Sequence, residues 1–345
     1  MYHYNANCRL FVLQSNIDFM LLFSFQHIKF STIRRKTVLL ILFPPLIVLI
    51  WIFRMLPISC VRRFADFVGK YFFKFAKKSR EWALDNLARV YDGELTLEEQ
   101  EHIAKSSFTE IIKGFFDYMA YSHEKNPTKY FSLISVVGEE HLLETYNRGK
   151  GVICLIPHMS SWEFAAITPP MLGYETTAAS QSMKMSLLEK LMVKFRGRRG
   201  MKNITRQGSY QSLVDALNKG ECLILMTDQD TKVKGVFVDF LGHSAYTPLG
   251  ASRLAADTEA AIVPMAMVRS EGGNYRFEIY PEIPVQKTDN KENDLLENTK
   301  NQNKFYSDII RKYPEQWVWM HRRWRTTPAS LAAALKARAE AKQKK

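Results

Sequence analysis

From about Phe131 onward the chain alternates short apolar runs with helical patterns, and this alternation constrains the fold more than any other feature. Val152–Ile156, Thr176–Ala179, Cys222–Met226, Ala261–Val268 and Tyr275–Tyr280 are apolar stretches of strand length, each bounded by turn residues. Leu187–Phe195 and Tyr210–Leu217, lying between them, carry helical periodicity. Strands that are apolar throughout, rather than at every second residue, must be covered on both faces. The reading is therefore an α/β domain over 131–327, with a central, mostly parallel sheet flanked by helices. Residues 328–345 form a basic Ala/Lys-rich tail ending in LAAALKARAEAKQKK, read as a helix or a frayed extension.

The region before this domain has a different texture. Thr37 to Phe53 reads TVLLILFPPLIVLIWIF, 17 residues without a charge. At about 1.5 Å per residue that is the lower limit for crossing a hydrocarbon core of roughly 30 Å. Pro44 and Pro45 imply a kink. Arg34, Arg35 and Lys36 precede the run and Arg54, Arg62 and Arg63 follow it, so basic residues give no orientation. The expectation is a membrane anchor over 37–53, spanning or re-entrant, in preference to a cleaved signal. Residues 1–36 are an extension without assignment. Within 54–130, Phe64, Phe67, Val68, Tyr71, Phe72 and Phe75 recur at helical spacing, with Lys70, Lys74, Lys77 and Lys78 on other faces. This pattern suits an amphipathic helix at a membrane interface, and equally a helix facing a core. Further helices are expected over Trp82–Tyr91 and Thr96–Tyr121, the latter opened by a Thr96/Glu99 capping box.

Across its 345 residues the chain carries 48 Lys plus Arg against 35 Asp plus Glu, a formal net charge of +13. Anionic lipid, an acidic protein or nucleic acid would each answer that charge. Cys8, Cys60, Cys154 and Cys222 are far apart and form neither a disulfide framework nor a zinc-ligand spacing. The histidines show no ligand spacing, so no metal is expected. The sequence contains no HExxH, GxSxG, GxxxxGK[ST] or GxGxxG, which removes sequence support for zincin, hydrolase-elbow, P-loop and dinucleotide chemistries.

The first long apolar strand runs into GVICLIPHMSSWE (151–163), so His158 sits just past a strand end, where α/β folds place ligands. Glu163, five residues on, can swing a carboxylate back to the imidazole, the arrangement of a general base. Ser160 and Glu163 also read as a capping box, and the two roles are compatible. In FRGRRG (195–200) Arg196 stands beside Gly197, and Arg198 and Arg199 lie between two glycines, a pattern for a phosphate or an acidic carrier and equally for a solvated turn. The second apolar strand ends in Asp228-Gln229-Asp230, able to orient a hydroxyl, fix an arginine or do nothing beyond turning the chain. PEQWVWMHRRWR (314–325) interleaves aromatic and basic residues, which can stack bases, anchor at headgroups or pack Arg on Trp in a core. An anchor and a lipid-facing helix are poor company for nucleic acid, so none is expected.

In combination, His158-x-x-x-x-Glu163, Gly197-Arg198, Asp228–Asp230 and the PEQ…HRR run through Arg322 and Arg323 resemble the late acyltransferases of lipid A biosynthesis, a branch of the lysophospholipid acyltransferase superfamily. KGVFVDFLG (234–242), SRL (252–254) and Asp85-Asn86-Leu87 add to the resemblance, which covers roughly Arg62 to Thr327. It implies an enzyme moving a fatty acyl chain from acyl-acyl carrier protein to a hydroxyl of a Kdo-bearing lipid A precursor. The setting would be the cytoplasmic face of the inner membrane, among its lipids, with no cofactor. His158 would be the base and Glu163 its orienting acid. Gly197, Arg198, Asp228 and Asp230 would bind or position substrate, with Arg196, Arg322 and Arg323 as further candidates. Ser180-Gln181-Ser182 stands where the family carries an Arg-Pro pair, and Phe240-Leu241-Gly242-His243-Ser244 where it carries Phe-Phe-Gly-x-Pro. Coenzyme A as the donor, a different lipid or glycolipid acceptor, thioester hydrolysis, and a silent lipid-binding protein stay open.

Overall fold

The computed structural model describes residues 44–45, 47–121, 123–180, 186–205, 210–231 and 233–343. A helical layer comes first: α1 (47–55), α2 (Ile58–Phe75), α3 (Lys77–Val90), α4 (Leu97–Tyr121) and α5 (Pro127–Phe131). The α/β part follows as β1 (Ile134–Val137), α6 (Glu139–Tyr146), β2 (Val152–Leu155), α7 (Trp162–Met171), β3 (Thr176–Ser180), α8 (Ser186–Gly197), β4 (Lys202–Thr205), α9 (Tyr210–Asn218) and β5 (Cys222–Leu225). After a hairpin of β6 (Gly235–Phe240) and β7 (His243–Pro248) come α10 (Gly250–Thr258), β8 (Ala261–Arg269), β9 (Tyr275–Ile279), α11 (Lys291–Lys312) and α12 (Pro328–Gln343).

Seven strands form one sheet in the order β1-β9-β8-β2-β5-β3-β4. Every neighbouring pair is parallel except β8–β9. The apolar runs explain this: all of β2 and nearly all of β8 are buried, with helices on either side. β2 lies at the centre, with β5 on one side and β8 on the other. Leu155 on β2 is level with Leu225 on β5. Whatever follows each strand by the same number of residues is therefore brought side by side. Cys60, Cys154 and Cys222 are free thiols.

The helical layer bears on three expectations. Among the described residues no helix is long and apolar enough to cross a membrane. The anchor expected over Thr37–Phe53 falls partly outside the described residues. Its described remainder, residues 44–45 and α1, is helical, and α1 buries Ile50 and Phe53 against the rest of the protein while Trp51 stays 59% exposed. The aromatic stripe of α2 is also split. Val61, Ala65 and Phe73 are buried, Val68 and Phe72 pack partly against the core, and Phe64, Phe67, Tyr71 and Phe75 remain exposed. The helix thus has an inner apolar face and an outer aromatic one. Gly69 permits the close approach of α4, since a Cβ there would lie 2.8 Å from the Thr109 backbone. The capping box of α4 is present, with Thr96 N donating to Glu99 Oε2 at 2.8 Å and Glu99 N to Thr96 Oγ1 at 3.3 Å.

Candidate active site

His158 follows β2 and Asp228 follows β5, each three residues past the paired leucines Leu155 and Leu225. Parallel register on adjacent strands therefore sets them against each other. His158 Nδ1 lies 2.6 Å from Asp228 Oδ1, and the His158 backbone N–H donates to Asp228 Oδ2 at 2.7 Å. Trp317 Nε1 donates to the same Oδ2 at 2.9 Å. Burial pushes the Asp228 carboxyl up, but the His158 charge and these hydrogen bonds outweigh it and hold the acid below its usual range. An ionised acceptor fixes the proton of the imidazole on Nδ1 and leaves Nε2 with its lone pair. A base with that tautomer can remove a proton from a hydroxyl.

Glu163 does not hold the imidazole, contrary to the expectation drawn from its spacing. It sits in the first turn of α7 and is paired with Arg196 of α8, Nη2 to Oε1 at 2.6 Å and Nε to Oε2 at 3.0 Å. A carboxylate that is only 7% exposed needs a cation, and the two-pronged guanidinium satisfies both its oxygens. The capping box expected at Ser160 is likewise absent. Ser161 is the cap residue of α7, and its hydroxyl donates to Gly114 O of α4 at 3.0 Å.

Ser160 instead takes a left-handed backbone, φ 47°, a conformation that costs a non-glycine residue about 1–2 kcal/mol. Two neighbours hold it there. Its N–H donates to Gln316 O at 2.8 Å, and Gly114 presses on its carbonyl so closely that a Cβ would meet that oxygen at 2.6 Å. The Ser160 hydroxyl is buried without a partner among the described residues. The loop carrying His158 is thus clamped between α4 and the segment after α11, which adds the Met159–Trp317 bridge and a bond from Val318 N to His158 O at 3.2 Å.

The remaining candidates are dispersed. Asp230 accepts from Arg325 Nη2 at 3.1 Å and from Thr326 N at 2.7 Å, tying down the chain before α12. Arg323 is fully buried and donates to Tyr246 O at 2.8 Å and Thr247 Oγ1 at 2.6 Å on β7. Burial in that place lowers its guanidinium to about 10, against which Asp228 and Asp230 act. Arg322 stacks over Trp82 of α3, 5.3 Å from the ring centroid. These three residues hold the protein together around the pair rather than joining it. Gly197 and Arg198 are exposed at the end of α8, beyond the Arg196–Glu163 pair. Of Ser180-Gln181-Ser182, residues 181–182 lie outside the described residues.

Sequence reasoning missed Trp317 and Asn86 as parts of this construction. Asn86 Nδ2 donates to Trp319 O and His321 O, both at 2.7 Å, so the Asp85-Asn86-Leu87 and PEQ…HRR motifs meet across the fold. Of the three uses weighed for the Trp/Arg run, Trp317 and Trp319 show core packing, both being fully buried.

Residues 27–326 match the family model described as bacterial lipid A biosynthesis acyltransferase. A lipid A biosynthesis acyltransferase of Haemophilus influenzae is 26% identical over 73% of this chain and 77% of its own length. A lipid A biosynthesis palmitoleoyltransferase of Escherichia coli is 26% identical over 81% of this chain and 89% of its own. A phosphatidylinositol mannoside acyltransferase of Mycolicibacterium smegmatis is 25% identical over 55% of this chain, a match spanning 62% of that protein. The matched range takes in α1, the sheet and both strand ends that carry His158 and Asp228, and the chain belongs to the bacterial lipid A biosynthesis acyltransferase family, whose named relatives are acyl-transferring enzymes.

Proposed function

We propose that the protein transfers a fatty acyl chain from a thioester to a hydroxyl of a Kdo-bearing lipid A precursor, with His158 as the base and Asp228, not Glu163, as the acid that orients it. The observation that carries this reading is the buried imidazole–carboxylate contact of 2.6 Å at the ends of two adjacent parallel strands. His158 Nε2 takes the proton of the acceptor hydroxyl as its oxygen bonds to the thioester carbonyl carbon. The tetrahedral adduct then breaks its C–S bond, and the departing thiolate takes the proton back from the imidazolium. Asp228 stays ionised throughout and steadies the imidazolium. Glu163 acts at one remove, holding Arg196 and through it the end of α8.

The donor in this reading is acyl-acyl carrier protein, an acidic partner whose docking a chain of formal charge +13 would favour. Coenzyme A thioesters are the alternative donor. The site of action is the cytoplasmic face of the inner membrane, supported by the exposed Phe67, Tyr71 and Phe75 of α2 with Lys70 and Lys74 beside them. Relatives named for a phosphatidylinositol mannoside supply a second acceptor class, a phosphorylated mannose-bearing glycolipid.

The test is acyl transfer by the purified chain, offered a mixture of acyl-carrier-protein thioesters with either acceptor and read by mass spectrometry. A gain of one acyl mass on the lipid A precursor, lost in His158→Ala, is expected. Transfer only to the mannoside replaces the acceptor, free fatty acid alone makes the protein a thioesterase, and intact thioester with folded protein defeats the reading.

A further inference from the structure

α7 opens with Ser161 as its cap, then Trp162 and Glu163, and each of the three side chains is committed to a different neighbour. At about 3.6 residues per turn, consecutive side chains leave a helix roughly 100° apart, so a single turn addresses several surroundings. Ser161 Oγ donates to Gly114 O of α4 at 3.0 Å. Glu163 is forked by Arg196 of α8 at 2.6 and 3.0 Å. Between them, Trp162 sets its ring beside the His158 imidazole, with centroids 5.9 Å apart and planes at 59°. Trp162 is 9% exposed and belongs to the apolar cluster that also holds Leu155, Met159 and Trp317.

The imidazole needs such a neighbour. Asp228 grips the ring at Nδ1, which fixes one atom but not the plane, and the torsion that turns a histidine ring is intrinsically broad. A base has to present its nitrogen within hydrogen-bond reach of the proton it takes, and a small misplacement costs rate. A second ring packed beside the first sets the plane and hence the aim of Nε2. A helix start is by itself a loose platform for that ring, because the N–H groups of its first turn have no intrahelical acceptor. Ser161 and Glu163 remove the looseness from either side of Trp162. The guanidinium fork suits this task, since two parallel bonds fix direction as well as distance.

We propose that Trp162 is a positioning residue for His158, and that the Glu163–Arg196 pair acts on the base through it, by holding the first turn of α7. The inference rests on the reading of His158 as the base and goes beyond it. It also gives the His158-x-x-x-x-Glu163 spacing a physical meaning in this chain. Glu163 holds no imidazole nitrogen; it anchors the turn whose preceding residue does the aligning.

Two measurements on the full chain test this. The first is a double-substitution cycle on kcat, with saturating acyl-carrier-protein thioester and lipid A precursor and with melting temperatures alongside. Trp162→Leu is expected to lower kcat about 30-fold with KM within about threefold, and Trp162→Phe, which keeps a ring, to return within about fivefold of wild type. Glu163→Gln is expected to lose about ten-fold, and the double variant to stay within about threefold of Trp162→Leu, because the second change acts on a ring already removed. Independent effects would instead multiply to about 300-fold and overturn the proposal. A folded Trp162→Leu protein with unchanged kcat overturns it too, as does a loss confined to KM, which would make the ring a substrate wall.

The second measurement needs no turnover. In protein carrying carbon-13-labelled histidine, the His158 ring signal, identified by His158→Gln, is shifted by the ring current of Trp162. Trp162→Phe and Glu163→Gln are both expected to move that signal. A signal unmoved by Glu163→Gln overturns the proposal, and this arm stands even where a Trp162 variant does not fold. His158→Ala separates the two kinds of failure. Retained transfer in that variant removes the base and this inference with it, whereas abolished transfer beside multiplicative effects leaves the base in place and removes only the role of Trp162.

Discussion

Replacing Asp228 by Asn keeps the size of the side chain and removes the charge that decides which nitrogen of His158 bears a proton. In the native arrangement three donors converge on the carboxylate: His158 Nδ1, His158 N and Trp317 Nε1. An amide has one accepting oxygen, and Oδ2 already takes the backbone and indole N–H groups, so the oxygen is expected on that side. The amide nitrogen then faces Nδ1 and donates to it, which moves the imidazole proton to Nε2. That nitrogen can no longer accept a proton from the acceptor hydroxyl. Loss of the charge-assisted bond removes about 1.5–3 kcal/mol of support for the imidazolium. With the wrong tautomer the total is expected to reach a fall in kcat of about 10³–10⁴, as in triads treated this way. The assay is single-acyl transfer under saturating donor, with thermal melting to confirm folding and KM expected to move little. Glu163→Gln is the internal comparison, because Gln keeps one acceptor for Arg196 and leaves the imidazole untouched. Its expected loss is about ten-fold, from a loosened α8. A kcat within threefold of wild type for Asp228→Asn, beside a 10³-fold loss for Glu163→Gln, would refute the assignment of Asp228 as the orienting acid.

Gly114→Ala would place a Cβ 2.6 Å from the Ser160 carbonyl oxygen, so the His158 loop must move; a kcat loss of about 10–100-fold with only a modest fall in melting temperature is expected. Asn86→Ala leaves the Trp319 and His321 carbonyls without their 2.7 Å donor, which should cost about 2–4 kcal/mol in denaturant unfolding, and Asn86→Asp, unable to donate, should do no better. His321 is lowered to about 3, chiefly by burial and then by the charges of His158 and Arg323, so it is neutral in the folded chain at pH values where the unfolded chain protonates it. Stability from this group is therefore complete above about pH 6.5 and is lost on acidification toward about pH 3, with a slope of up to about 1.4 kcal/mol per pH unit that His321→Gln should remove from urea-unfolding curves.

Much of the sheet was legible because its strands are buried on both faces. VICL and CLIL read as strands without reference to their partners, and His158 and Asp228 were singled out at their ends. Their contact was not legible. It depends on β5 lying next to β2, although β3 and β4 separate them in the chain. Reasoning from spacing favours a partner close in sequence, which is why Glu163 was drawn to His158; the helix that brings it near also turns it toward Arg196. The Ser160 capping box failed for a related reason. The motif describes an isolated helix start, whereas Gly114 and Gln316, from two other parts of the chain, bend Ser160 to φ 47° and pass the cap position to Ser161. The aromatic stripe of α2 could not reveal that Val68 and Phe72 turn partly inward while Phe64, Phe67, Tyr71 and Phe75 do not, because both sides of the helix are apolar.

The motifs after α11 make sense as a frame for the pair. Gln316 accepts from Ser160 N through its backbone and exchanges side-chain bonds with the Arg269 backbone, N–H at 2.8 Å and C=O at 3.1 Å. Trp317 donates to Asp228, Val318 to His158 O, and Trp319 and His321 are gripped by Asn86. Arg323 reaches β7 and Arg325 reaches Asp230. These polar groups hold protein rather than face an open cleft, so the run has little freedom left to read an acceptor. Choice among acceptors must then rest elsewhere on the surface. Among the described residues, the exposed cations at the end of α8 and the exposed apolar faces of α1 and α2 offer charge and area on the surface. Substitutions along 316–325 should therefore lower the rate for every acceptor by a similar factor.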